Sequence, residues 1–549
     1  MADPPLAREG ARDGPASTAL WILLAAALLY WAACAVLLPV TTWDSQVYNL
    51  GRLLIAEKAG FWSNPHWFSE RQVIFPWAFD AVHYPFVKLG FGEAIPSFVC
   101  FVGLLIIVYK ILRDRYSSQL ALLVCLGLVS MPTMVYQATS TKNDLVVVFL
   151  VGCWFYSLFR YRRERGSWLL AACGLSLSFL AGAKTSGIFF AILLFPFTLL
   201  IIRRYKAQLT PFLASLIVSV VLFGSVETYL LSYFRYGHPL GPRAFVKMHS
   251  NRDGAAGAMA NFIRYYIGNI SLGAYSDHDR STLPGQLEAL ARYSLKTLNL
   301  TDAGYRSDFN DSNLRYLKTG TDDSSDFGIF GWLAFTTCLL IPFFAPLCSA
   351  AWLTAIAGLC SMAVISSTIG WMPWNARFLV LPYTLFATAA LIFVFEEIRT
   401  LQTPVRRLFV ACILFSVIAA PFISQLRQPP DLVRSLRKRE ELTFSEQTKL
   451  LPVFRELTRI AAQYPEPIVY LSAGANSWVL EFLRIRNIQW RMVSSLADLA
   501  HSTQAFAGPQ PVYLVILGDA PPAGLDPTGA KQFDPTDSIW KLYVPNSKK

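Results

Sequence analysis

The chain has 549 residues, of which 54% are apolar, 14% aromatic and only 15% charged, and its mean hydropathy is +0.40. Soluble chains carry roughly a quarter charged residues, so three or four soluble domains are excluded and the composition is that of a polytopic membrane protein. The net charge of +12 does not point to nucleic acid, because much of the excess sits in short runs between apolar stretches, such as Arg160, Arg162, Arg163 and Arg165, as topology determinants do.

In chain order, a polar tail (1–17) precedes an apolar run over about 18–40. It lacks a small-residue cleavage signature and is expected to be an uncleaved anchor. Further apolar stretches lie at about 94–112, 119–136, 144–160, 168–183, 187–202, 211–234, 328–348, 350–369, 378–396 and 408–424. They predict a helical bundle of about eleven spans, within a range of roughly 11 to 13. All nine cysteines fall inside apolar stretches and read as small core residues rather than a disulfide framework.

With the N-terminus placed in the cytoplasm, the inner short loops hold twelve basic residues and the outer ones only Lys142, Lys184 and Arg377. The positive-inside bias therefore sets the orientation. Two long loops, 41–93 and 235–327, then lie outside, within a transmembrane domain over 18–424. The tail 425–549 follows on the same side. Apolar residues at Val47, Leu50, Leu54 and Ile55, and the aromatic stretch from Phe75 to Leu89, predict amphipathic helices in the first loop. In the tail, strand patterns at 467–471, 512–517 and 540–544 and a helical stretch over 477–484 predict a small α/β domain.

The orientation makes no use of the outer acids and bases, yet it places Asp44, Asp144, Lys184 and Arg377 at one membrane boundary. Each has a plainer reading: Asp44 and Asp144 as helix caps, Lys184 and Arg377 as headgroup anchors. Together they suit an anionic lipid headgroup, which wants cations, and a reacting hydroxyl, which wants a carboxylate. Tyr48, Glu70, His83 and Asp326 are further candidates for sugar or acceptor contacts. No motif requires a metal. His66 and Glu70, at helical spacing, and Asp44 are the candidate ligands if a divalent cation is used.

The chain resembles the GT-C class of integral-membrane glycosyltransferases, nearest its protein O-mannosyltransferase and aminoarabinose-transferase branch. The residues that carry this are Trp43-Asp44-Ser45-Gln46-Val47-Tyr48, Thr141-Lys142-Asn143-Asp144, Ala183-Lys184-Thr185-Ser186-Gly187, Asp326-Phe327-Gly328, Trp374-Asn375-Ala376-Arg377-Phe378, and Ser477 to Leu483 in the tail. The resemblance implies transfer of a hexose or pentose from a polyprenyl-phosphate carrier to a lipid, glycan or protein acceptor. It implies a periplasmic active site in a bacterial inner membrane. It assigns Asp44 and Asp144 as catalytic acids and Lys184 and Arg377 as holders of the donor phosphate. The mannosyltransferase branch carries an acidic pair in the first loop, whereas Asp44 is followed by Ser45. Neither protein-Ser/Thr transfer nor a strict metal requirement is therefore implied. A lipid-linked glycan ligase or polymerase, or a transporter or flippase, remain the alternative readings.

Overall fold

The computed structural model describes residues 14–42, 44–59, 70–205, 209–223, 226–268, 283–307, 327–372, 374–398, 403–423, 427–443, 459, 468–472, 489–493, 512–517 and 540–543. Among them, seven helices are long and apolar enough to cross a membrane: Pro15–Leu37, Ile95–Arg113, Asp144–Glu164, Thr185–Arg204, Ala350–Thr368, Asn375–Glu397 and Pro404–Phe422. Ser118–Val129 and Pro132–Ala138 form a bent pair, and Ser167–Ala183, Thr210–Val221 and Gly328–Phe344 are shorter apolar helices. The chain is a multi-pass helical membrane protein.

Each apolar stretch found in the sequence carries a helix, but two are interrupted. The first breaks at Pro132, which has no N–H to give and drives its predecessor out of the helical region. Met131 is accordingly extended (φ −86°, ψ 116°), and the two pieces meet at 75°. The stretch expected as one span over 211–234 is two helices, Thr210–Phe223 and Glu227–Tyr236. A carboxylate is costly inside hydrocarbon. Glu227 sits instead in the first turn of its own helix, where the helix dipole favours an acid.

Close packing keeps the bundle narrow around Ser167–Ala183. A Cβ added to Gly174 would collide with the Phe212 carbonyl of the neighbouring helix. The largest buried cluster is mainly aliphatic and contains an aromatic group in which Phe327 stacks on Tyr383 at 3.7 Å and Phe335 on Phe386 at 4.8 Å.

The first long loop folds as a π-helical turn Ser45–Asn49 followed by helices Leu50–Ala59, Glu70–Ile74 and Asp80–Leu89. The predicted stripe turns inward: its Leu50, Leu54 and Ile55 are buried in the protein, as is Leu53. The aromatic stretch becomes a helix only from Asp80. The second long loop is pinned to the 369–371 strand-like segment by bridges from Ser250 to Ile369 and from Tyr305 to Trp371, and this segment leads into Trp374–Arg377.

Four strands, β1 (Ile468–Ser472), β2 (Gln489–Val493), β3 (Val512–Leu517) and β4 (Trp540–Tyr543), form one sheet in the order β2-β1-β3-β4. β1 runs parallel to β2 and β3, and β4 antiparallel to β3. β2 was not expected from the sequence, and the expected helix over 477–484 lies outside the described residues.

Candidate active site

Asp44 stands at the N-cap position of the Ser45–Asn49 turn but its side chain caps nothing. It forms an ion pair with Arg377, 333 positions away, and Lys142 Nζ stands 3.9 Å from the same carboxylate oxygen. Asp144, the first residue of Asp144–Glu164, is paired with Lys184. Both acids are buried, at 7% and 6% exposure, so the capping reading gives way to one of acids held by cations.

Local backbone features present these side chains. Lys184 occupies a single extended residue (φ −158°, ψ 148°) between Ser167–Ala183 and Thr185–Arg204. Gly187 makes that junction fit, because a Cβ there would collide with the Leu180 carbonyl. Arg377 lies in the 3-10 turn Asn375–Leu379, which Asn375 anchors by donating from Nδ2 to the Tyr265 hydroxyl (3.1 Å) and the Gly370 carbonyl (3.0 Å). The two cations share a neighbour: Lys184 Nζ is 4.7 Å and the Arg377 guanidinium 5.2 Å from the centre of the Phe378 ring.

The electrostatics follow from burial. Desolvation pulls the Lys184 ammonium below the ordinary lysine value, and Asp144 opposes it. Burial pushes the Tyr48 phenol above its ordinary value, and the adjacent Asp144 charge adds to this.

These residues line one cavity of about 1380 Å³. Its polar end holds Asp44, Tyr48, Asn49, Arg71, Lys142, Asp144, Lys184, Arg306 and Arg377. From there it continues as an apolar groove between helices Ile95–Arg113, Asp144–Glu164, Thr185–Arg204, Ala350–Thr368 and Val380–Ile392, past Ile107, Gly152, Phe189, Leu353 and Leu385 to Arg115. Lining residues run from Ala350 to Thr368. At 1.5 Å per residue that is about 27 Å, close to the hydrocarbon thickness of a bilayer.

Of the residues expected from sequence, Asp44, Asp144, Lys184, Arg377 and Tyr48 come together here. His83 does not. It is fully buried in Asp80–Leu89, with Nδ1 2.5 Å from the Glu93 carbonyl and its ring edge-on to Phe79. Burial lowers its pKa to about 4, and it is a neutral core histidine away from the cavity wall. His66, Asp326 and the side chain of Glu70 lie outside the described residues, among which no group of three His, Cys, Asp or Glu side chains is arranged to hold a metal ion. The sequence counted Lys142 only as a loop charge and passed over Arg71 and Arg306. Its one signal for Lys142 was the position two residues before Asp144 in the same turn.

Residues 71–226 match the family model described as dolichyl-phosphate-mannose-protein mannosyltransferase. That segment contains Arg71, Lys142, Asp144 and Lys184. In fold, the chain is similar to the crystal structure of ArnT from Cupriavidus metallidurans bound to undecaprenyl phosphate. The two are 14% identical with a TM-score of 0.54, over 96% of this chain and 98% of that one. The same protein in the apo state is 13% identical with a TM-score of 0.47, over 97% and 98%. No curated protein matches the chain.

Proposed function

We propose that this chain, which has the GT-C fold and resembles GT-C membrane glycosyltransferases, moves a sugar from a polyprenyl-phosphate donor to a lipid, glycan or protein acceptor at the periplasmic face of a bacterial inner membrane. The observation that carries this reading is the continuity of a chamber holding two acids and several cations with an apolar groove about as long as a bilayer is thick. A polyprenyl-phosphate sugar has the complementary form: a phosphodiester joining a polar sugar to a long hydrocarbon tail. On this reading residues 18–424 form the transferase body, and the tail from 425, with its four-stranded sheet, stands on the chamber side.

The chemistry follows from the pairs. A phosphodiester entering the chamber accepts hydrogen bonds from Arg377 and Lys184, which loosens their hold on Asp44 and Asp144. Asp44, with Lys142 still beside it, accepts the proton of the acceptor hydroxyl as that oxygen attacks the anomeric carbon. The sugar–phosphate C–O bond breaks, and the second negative charge that appears on the departing polyprenyl phosphate is met by the same cations. Asp144 keeps Lys184 oriented.

The experiment is Asp44→Asn in the full chain, assayed in nanodiscs against a panel of radiolabelled polyprenyl-phosphate hexoses and pentoses. Transfer by the wild type and its loss in the variant is the expected result. Unchanged turnover at normal expression overturns the assignment. Mass spectrometry of lipid, glycan and protein fractions with and without the gene identifies the acceptor class.

A further inference from the structure

Asp80 does not line the cavity, yet three segments that carry the chamber residues converge on it. It is fully buried at the start of Asp80–Leu89. Its Oδ1 accepts from Asn49 Nδ2 at 2.7 Å and from Asn143 Nδ2 at 3.2 Å, and its Oδ2 is paired with Arg52. Asn49 ends the helical turn that begins beside Asp44, and Asn143 directly precedes Asp144. The same Asn143 amide donates at 2.8 Å to the carbonyl of Ala183, the residue before Lys184. Arg52 in turn donates to the Gln72 carbonyl at 2.9 Å and the Pro76 carbonyl at 3.3 Å, fastening the rest of the first loop.

We propose that Asp80 is a positioning residue for sugar transfer: its carboxylate sets the distance between the Asp44 turn and the Asp144–Lys184 pair without touching substrate. This rests on the glycosyltransferase reading above. The chemistry of the group explains why a carboxylate stands here. An ionised carboxylate only accepts, with room for about four donors, so one side chain gathers donors from two asparagines and an arginine. An asparagine in its place turns an NH₂ toward at least one of those donors, and that strand of the tie is lost.

A residue that merely holds the fold and one that positions the acids differ in a measurable way. A fold defect scales turnover down in any background. A positioning defect vanishes once the positioned group is gone, because coupled residues are non-additive. The full chain in nanodiscs is compared as wild type, Asp80→Asn, Asp144→Asn and the double variant, using whichever polyprenyl-phosphate sugar of the panel the wild type turns over. Misplacement of reacting groups by about 1 Å costs on the order of 100-fold. Asp80→Asn is accordingly expected to lower kcat by about 10- to 100-fold with KM for the donor nearly unchanged. Added to Asp144→Asn, it lowers the residual turnover no further.

Hydrogen exchange of the same samples gives a second readout independent of activity. Amides of 139–147 and 183–187 exchange faster in Asp80→Asn, while the 113–118 turn on the far end of the bundle does not change. If Asp80→Asn fails to fold, Asn143→Ala removes that amide's two bonds, to Asp80 and to the Ala183 carbonyl, and must show the same loss confined to kcat. Equal proportional losses in both backgrounds, or unchanged exchange at 139–147, overturn the proposal. Absence of any transfer by the wild type overturns the glycosyltransferase reading instead, and the exchange measurement still decides whether Asp80 ties these segments.

Discussion

Two buried ion pairs start from neighbouring residues of the first loop, Asp44 and Arg52, and they differ in what surrounds them. Arg52 and Asp80 are 1% and 0% exposed, and their other hydrogen bonds go to carbonyls and amides of the protein. Asp44 and Arg377 are also desolvated, but both line the cavity and are bonded across 333 positions of chain. A pair closed in by protein acts only through the segments it ties together. A pair that faces a cavity keeps lone pairs and N–H groups directed at whatever enters, and its partners are exchangeable. The same chemical group therefore positions segments in one place and meets substrate in the other, and the surroundings decide which.

Breaking one pair of each kind separates the two roles. The largest effect is expected from Asp44→Asn. Loss of a general base costs about 10²- to 10⁴-fold in rate, and because the cavity lets water reach the freed Arg377, the unfolding midpoint should move little. A variant that loses activity only in proportion to its stability contradicts the separation. Next comes Arg52→Met, which leaves the fully enclosed Asp80 charge alone. Removing one partner of a buried pair costs about 3–5 kcal/mol. Thermal unfolding in detergent should show that loss directly, with exchange in the first loop rising as well. An Arg52→Met protein as stable as wild type would mean that the enclosed pair is not the staple its geometry describes.

The sequence made the cavity-facing residues visible and hid the enclosed ones. Asp44, Asp144, Lys184 and Arg377 lie at the ends of apolar stretches, so the hydrophobic pattern that locates spans also brings these four to one boundary. The bend at Pro132 was missed although proline constrains its own neighbour, because the apolar pattern runs unbroken over 119–136. Asp80, Asn49, Arg52 and Asn143 carry no such mark. Their bonds join residues 31, 28 and 63 positions apart, and no periodicity announces a pairing made only when loops meet in three dimensions. The split of 211–234 went unseen because hydropathy averages over Glu227, which opens the second helix.

His83 gives a smaller effect, confined to a pH window, that tests the enclosed region alone. Burial lowers its pKa from 6.5 to about 4, against the opposing influence of the Glu93 carbonyl and Asp80. The sign follows: below pH 6.5 the unfolded chain binds a proton that the folded chain refuses until about pH 4. Stability is thus fully present above 6.5 and is lost as pH falls toward 4, by about 3 kcal/mol. His83→Gln should flatten the slope of the unfolding midpoint over that window. A slope that survives the substitution assigns the acid sensitivity to other groups.

The smallest expected effect concerns the groove and distinguishes its wall from the chamber. Gly152 lines the groove on Asp144–Glu164, eight residues below Asp144, or about 12 Å at the helical rise. A Cβ there would meet Leu104 Cδ1 at 3.4 Å and Ile107 at 3.7 Å, ordinary contact distances, so a methyl fits beside the neighbouring helix and a longer side chain takes up space at the groove wall. Gly152→Leu removes space from the tail's path without altering any charge. If the tail lies here, losing a few methylene contacts is worth about 1–3 kcal/mol, or roughly tenfold or more in KM for a full-length polyprenyl-phosphate donor. A donor truncated to two isoprene units ends before that depth and should be indifferent to the change. Equal KM shifts for long and truncated donors would show that the substitution acts on the chamber through the helix that carries Asp144, and would leave the tail to another path.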